Sequence, residues 1–344
     1  MHTLLGLSSL MLVVLAGALL LRLLHRIRAW PQRRDLQMLV LAAPLVSLGL
    51  GIGGLHHFSG RMCWLGAPPW DYTLGVALPL GMGAVASGAL GLGVLRLALL
   101  YRLLARSSVP ADSAAQAAVQ ALADRLIPRL RAPRVRVRLC PYGRPLALAY
   151  GVRRPTLLLS TWMVEQLDRR ELGAVLAHEL GHVARRDYLM NWLATVLSDG
   201  FFYLPTSRAA YRQLRQETEL ACDDLAVAAA NRPLALASAL AKVWEQALGV
   251  PVGPLPVGAQ ALLSAGESGQ SIEQRIERLL RLPAPAPGAA PAAAAVPQSR
   301  ALGLGMAISG VAGLLTLQAA NVAVLLAPMG CGPGSALWAL WKLL

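Results

Sequence analysis

The sequence predicts an α-helical membrane protein with about four transmembrane helices and a cytoplasmic α+β domain. Three observations carry that expectation. Of the 344 residues, 56% are hydrophobic. Several apolar runs exceed the roughly 18 residues that mark a membrane span. Between the third and fourth of these runs, short alternating segments are interleaved with amphipathic helical patterns. A chain of this composition is not expected to be an ordinary soluble domain.

The first span covers about residues 3–24. Its positive charges follow the apolar run and none precede it, so it reads as a retained anchor and not as a cleaved signal. The second covers about 36–55 and the third about 72–100, the latter long enough to tilt. Residues 1–100 thus read as three transmembrane helices. Arg22, Arg26, Arg28, Arg33 and Arg34 crowd the first connection, whereas the second carries only Arg61. Positive charge stays inside, which places the N-terminus outside and residues 101–300 in the cytoplasm of a multi-pass inner-membrane protein.

Residues 101–281 read as the cytoplasmic domain. Its helical patterns lie at about 114–130, 168–187 and 207–230, and short strands are expected at 135–139, 146–150 and 156–159 between Pro and Gly residues. An edge of such a sheet can hold an extended peptide by backbone pairing. The Pro- and Ala-rich stretch 282–300 reads as a linker, 301–328 as the fourth span, and 329–344 as a short extracytoplasmic tail. The net charge of +14 is spread over an Arg-rich domain beside anionic lipid, and no nucleic-acid-binding motif accompanies it. The lipid bilayer is an expected partner and direct nucleic-acid binding is not. No oligomeric state follows from these patterns.

The chemistry concentrates at His178-Glu179-Leu180-Gly181-His182. On a helix, residues four apart share a face, so two imidazoles can hold one zinc ion while Glu179 takes a proton from the attacking water. The other four histidines, His2, His25, His56 and His57, lie in or beside the apolar N-terminal runs. A carboxylate is the natural third ligand. Glu219 and Asp223 are four apart on the second helix, so one can bind metal while the other orients a histidine. Glu217 points the opposite way and is expected to be a solvated charge, and Cys222 to be buried packing and not a ligand.

These residues carry a resemblance. Tyr142 to Pro145, Gly151 to Ser160, the H-E-x-x-H run with Arg185-Arg186-Asp187, and Glu219 to Asp224 together resemble the BlaR/MecR-type integral-membrane zinc metallopeptidases, with a weaker match at Arg275 to Leu280. Those gluzincins are similar to the HtpX and CAAX-prenyl proteases in drawing the third ligand from an E-x-x-x-D segment. The resemblance implies a zincin-like metalloprotease domain with zinc held by His178, His182 and Glu219, Glu179 as general base, and Asp223 and Asp187 in support. It also implies a protein or peptide substrate, a transcriptional repressor in the signalling relatives. Those that report β-lactams carry a large penicillin-binding sensor after the fourth span, and the tail here has no room for one. Direct antibiotic sensing is not expected.

Two other readings stand beside a signalling protease: a housekeeping protease like HtpX, and a non-catalytic, metal-stabilised transducer. Glu179 argues against the last, since a structural site needs no base. The stretch 188–204 is aromatic enough to suggest a crossing, but a single crossing would put Glu219 on the opposite side from His178 and His182. Two crossings need about 40 residues, more than separate the two halves of the site. A buried or in-plane helix is expected instead. By this topology Cys140 and Cys222 remain thiols. Cys63 and Cys331 share the outer side, where either a disulfide or two separate thiols fits.

Overall fold

The computed structural model describes residues 11, 14–22, 33–45, 78–106, 114–151, 154–248 and 269–282. The chain divides into two compact units, one of Met1–Leu92, Val196–Tyr211 and Ser299–Leu344, the other of Gly93–Thr195 and Arg212–Gln298. In chain order the elements are helices α1 (14–22) and α2 (33–45), then α3 (Leu78–Arg106), α4 (Ala114–Leu130), β1 (Arg136–Cys140), β2 (Ala147–Tyr150) and β3 (Thr156–Ser160). There follow α5 (Thr161–Gln166), α6 (Arg169–Arg185), α7 (Asp187–Gly200), α8 (Pro205–Ala230), α9 (Pro233–Leu248) and α10 (Gly269–Arg281).

In the first unit, Leu36 and Leu39 of α2 pack on Leu20 and Leu21 of α1. Gly17 marks the close approach of these helices, since a Cβ there would lie 3.3 Å from Val40 Cγ1. Among the described residues no helix is long and apolar enough to cross a membrane. The spans expected at 36–55 and 72–100 fall only partly within the described residues. Of the second, residues 46–55 lie outside the described residues, and of the third, residues 72–77. Most of the first expected span lies outside the described residues, as do the fourth, the linker beyond residue 282, the tail, Cys63 and Cys331. Large apolar side chains are exposed along α3, among them Val85, Leu92, Val94, Leu95 and Leu99.

The second unit is of α+β type, as the fold class leads one to expect. Its sheet has the order β1-β3-β2, with β1 parallel and β2 antiparallel to β3. Val137 pairs with Leu157 and Leu139 with Leu159. These four side chains face the main core of helices α4, α6, α8 and α9. The opposite face of β3 is closed by a smaller cluster in which Leu158 and Leu146 are buried against Leu148, Tyr142 and Tyr150. Between β2 and β3 the chain turns at Gly151, whose φ of 98° and 2.6 Å distance from a built Cβ to Arg154 O admit no side chain.

Helix α6 starts where the sequence says it should. Asp168 accepts from the backbone N–H groups of Arg170 and Glu171 at 2.6 and 2.8 Å, and its own N–H donates to Glu171 Oε2 at 2.9 Å, a reciprocal capping box. Glu171 is itself buried, and Ser238 Oγ at 2.6 Å and Lys242 Nζ at 2.7 Å of α9 both donate to it. The inner face of α6 contributes Leu172, Val175, Leu176, Leu180 and Val183 to the core, each side chain supplying about 1.5–3 kcal/mol by burial. The helix ends at Arg186 in a left-handed conformation, φ 57°. That turn separates α6 from α7, where the sequence reading runs one helix through to residue 187.

Leu176 is fully buried at the centre of this face. Leu176→Ala is expected to cost about 2–5 kcal/mol through lost burial and the cavity left behind, seen as a lowered unfolding midpoint by circular dichroism. A midpoint equal to the wild type would mean that the inner face of α6 is not packed as described.

Candidate metal centre

Two helices bring the site together. On α6, His178 and His182 lie one turn apart with ring centroids 4.9 Å apart and planes nearly perpendicular. On α8, Glu219 and Asp223 present their carboxylates to them. His178 Nε2 lies 3.3 Å from Glu219 Oε2, and His182 Nε2 lies 3.8 Å from Glu219 Oε1. Ligand atoms of His178, His182 and Glu219 all fall within 4.8 Å of one another, so this trio could hold a metal ion. Glu179 is half-buried on α6 between the two histidines.

Each histidine is backed through its other nitrogen by a carboxylate, and each carboxylate by an arginine. His178 Nδ1 lies 3.0 Å from Asp223 Oδ1. Asp223 in turn accepts from Arg275 Nε at 2.8 Å and Nη2 at 2.9 Å. His182 Nδ1 lies 3.3 Å from Asp187 Oδ2, which accepts from Arg185 Nε at 2.8 Å. Asp187 reaches this position because the left-handed turn at Arg186 starts a new helix directly beside the end of α6. Asp187, Asp223 and Arg275 are all nearly inaccessible to solvent.

The electrostatics follow from this arrangement. Burial opposes the protonated form of His178, but the carboxylates of Asp223 and Glu219 outweigh it and push the ring up to about 9. His182 is raised as well, burial again being overcome, here by Cys222, Glu219 and Asp187. Burial works against the charge on Glu219, and His182, His178 and Arg275 hold its carboxyl well below the usual range. Asp223 and Asp187 are lowered against the same opposition by their histidine and arginine partners. With neutral imidazoles the cluster holds three carboxylates against two guanidiniums. A buried charge costs several kcal/mol unless compensated, so the site favours one more cation. Two imidazoles and a carboxylate suit zinc, which takes nitrogen and oxygen ligands at about 2.0–2.2 Å. The donor set fits the ion.

Three residues behave differently from the sequence reading or escape it. Glu217 is buried at 8% exposure and is not a solvated charge. It sits three residues after fully buried Leu214 and beside buried Thr218, inside a packed stripe of α8 wider than the motif suggested. Arg275, given no role by sequence, contacts Asp223 and also lies 3.3 Å from Glu219 Oε2. Its signal was the helix pattern: Ile272, Ile276 and Leu279 form the packed stripe of α10, and Arg275 interrupts it. Cys222 is buried as expected, but its Sγ also lies 3.3 Å from His182 Nδ1. Burial pushes that thiol up to about 11.

Residues 144–245 match the family described as BlaR1 peptidase M56. Among curated proteins, the chain is 32% identical over 122 residues to the plastoglobule-localized metallopeptidase 48, chloroplastic, of Arabidopsis thaliana, covering 33% of this chain and 36% of that protein. It is 33% identical over 87 residues to a protease HtpX homolog of Desulforapulum autotrophicum, covering 24% and 28%. To that of Acidiphilium cryptum it is 27% identical over 176 residues, covering 41% and 61%. The chain thus spans about a third of the length of the first two relatives. Together these matches support a metallopeptidase of the M56/HtpX kind, and the family implies a metal.

The charge balance makes a prediction for the metal-free chain. His178 is raised on folding from 6.5 to about 9, so its stabilising contribution is complete below pH 6.5 and is lost as pH rises through about 9. The lowered carboxylates contribute above their usual range near pH 4 and lose that contribution on acidification. After chelator treatment, the unfolding midpoint should therefore peak at mildly acidic pH and decline between pH 6.5 and 9. The decline should shrink in His178→Asn. A midpoint that climbed over that interval would contradict the arrangement.

Proposed function

We propose that the chain is a membrane-bound zinc endopeptidase that cleaves a cytoplasmic protein. The observation that carries this reading is the approach of both histidine Nε2 atoms to the two oxygens of Glu219, at 3.3 and 3.8 Å, with Glu179 on the same helix. In this reading His178, His182 and Glu219 hold zinc, whose Lewis acidity, when bound, polarises the scissile carbonyl and acidifies water at the site. Glu179 accepts the proton of the attacking water and returns it to the departing amine. Asp223 and Asp187 fix the histidine rings so that both Nε2 lone pairs face one point. Arg275 and Arg185 hold those carboxylates ionised.

The domain organisation we propose keeps residues 101–281 on the cytoplasmic face of the inner membrane. Exposed apolar side chains along α3, the apolar composition and the arginine asymmetry of the N-terminal connections support it. Helix α7, Asp187–Gly200, is too short to cross a bilayer, which agrees with both halves of the site lying on one side.

For the substrate, the match to the BlaR1 peptidase M56 family favours a transcriptional repressor in a signalling pathway. The HtpX homologs among the relatives favour a second reading, a quality-control protease. Mapping the new protein N-termini produced by the wild type and not by Glu179→Gln separates them: one DNA-binding protein supports signalling, many membrane proteins support quality control.

Glu179→Gln should leave zinc content unchanged and lower proteolysis by at least the roughly 10²–10⁴-fold that a positioned base supplies. His178→Ala and Glu219→Ala should instead lose zinc. Glu219→Ala with full zinc content and activity would overturn the third-ligand assignment and direct attention to Glu217 or Asp224.

A further inference from the structure

We propose that Cys222 is a positioning residue for His182, acting from the side of the ring that faces away from the metal position. The inference rests on the zinc reading above. Its Sγ lies 3.3 Å from His182 Nδ1 and donates to Asp187 Oδ2 at 3.5 Å. Asp187 Oδ2 lies 3.3 Å from the same Nδ1. The imidazole N–H therefore sits between a sulfur and a carboxylate oxygen that are joined to each other. A proton held on Nδ1 leaves the Nε2 lone pair for the metal, and a ring gripped by two acceptors has less freedom to rotate than a ring gripped by one.

The same three donor atoms could be taken for a second metal site, since they too lie within 4.8 Å of one another. The surroundings argue otherwise. Asp187 Oδ2 already accepts from Arg185 Nε at 2.8 Å, and Arg185 Nη2 donates to Oδ1 at 3.3 Å. A metal ion there would sit against a guanidinium, so the cluster acts as a hydrogen-bond hub. Packing holds Cys222 in place. It is fully buried, and a Cβ built on Gly181 would lie 3.6 Å from its Sγ and 3.7 Å from its Cα. Helices α6 and α8 thus pack against each other where Gly181 faces Cys222.

The test uses the purified full chain. Zinc affinity is measured by competition with a chromophoric chelator for the wild type, Cys222→Ala and Cys222→Ser. Cobalt-loaded wild type is examined for a thiolate-to-cobalt charge-transfer band. Cys222→Ala should bind zinc about 10–100-fold more weakly, with the unfolding midpoint of the metal-free chain little changed, and Cys222→Ser should recover part of the affinity. The cobalt spectrum should show no thiolate band. Should Cys222→Ala fail to fold, the serine variant combined with Asp187→Asn carries the test, since two members of one hub should give a combined loss different from the sum of the two. Wild-type affinity in Cys222→Ala, or strict additivity in the double variant, would reduce Cys222 to packing. A thiolate band would make it a ligand. A wild type that binds neither metal would instead overturn the zinc reading itself, and this inference with it.

Discussion

Everything in the candidate site depends on two parallel chains of contact, histidine to aspartate to arginine. One runs His178–Asp223–Arg275 and the other His182–Asp187–Arg185. Each aspartate engages the Nδ1 of its ring, which turns both Nε2 atoms toward Glu219. Leaving any of these charges unpaired in the interior would cost several kcal/mol. The arginines are suited to the task because a guanidinium can engage both oxygens of a carboxylate at once, as Arg275 does with Asp223.

The fold exists around that constraint. Helix α6 is anchored at its start by the Asp168–Glu171 capping box and by Lys242 and Ser238 of α9, and is packed along its length on the core. Its histidines therefore have a fixed axial position. Helix α8 supplies Glu219, Cys222 and Asp223 within little more than one turn, and α10 supplies Arg275 from farther along the chain. The left-handed turn at Arg186 is the one irregular feature the site requires. Without it Asp187 would continue along α6, and its carboxylate would move away from His182.

The parts of this arrangement that repeat locally were legible in the residues alone. The i, i+4 spacing of His178 with His182 and of Glu219 with Asp223 follows from helix geometry, and the three strands were placed within a residue or so by alternation and flanking Gly and Pro. What required the fold were the facts that join distant segments. Arg275 lies 52 residues from Asp223, and only its place on the packed stripe of α10 hinted at burial. Glu217 looked solvated from its angle to Glu219, but the width of the packed face of α8 depends on what surrounds it. The membrane spans were read from hydropathy, and no described helix meets the length and apolarity they need.

In the proposed site His178, His182 and Glu219 share one zinc ion while Cys222 stands outside its coordination. X-ray absorption at the zinc edge of the purified chain tests it most directly. The spectrum should show two imidazoles and oxygen scatterers at about 2.0–2.2 Å and no sulfur. A single imidazole, or a sulfur at about 2.3 Å, would contradict it.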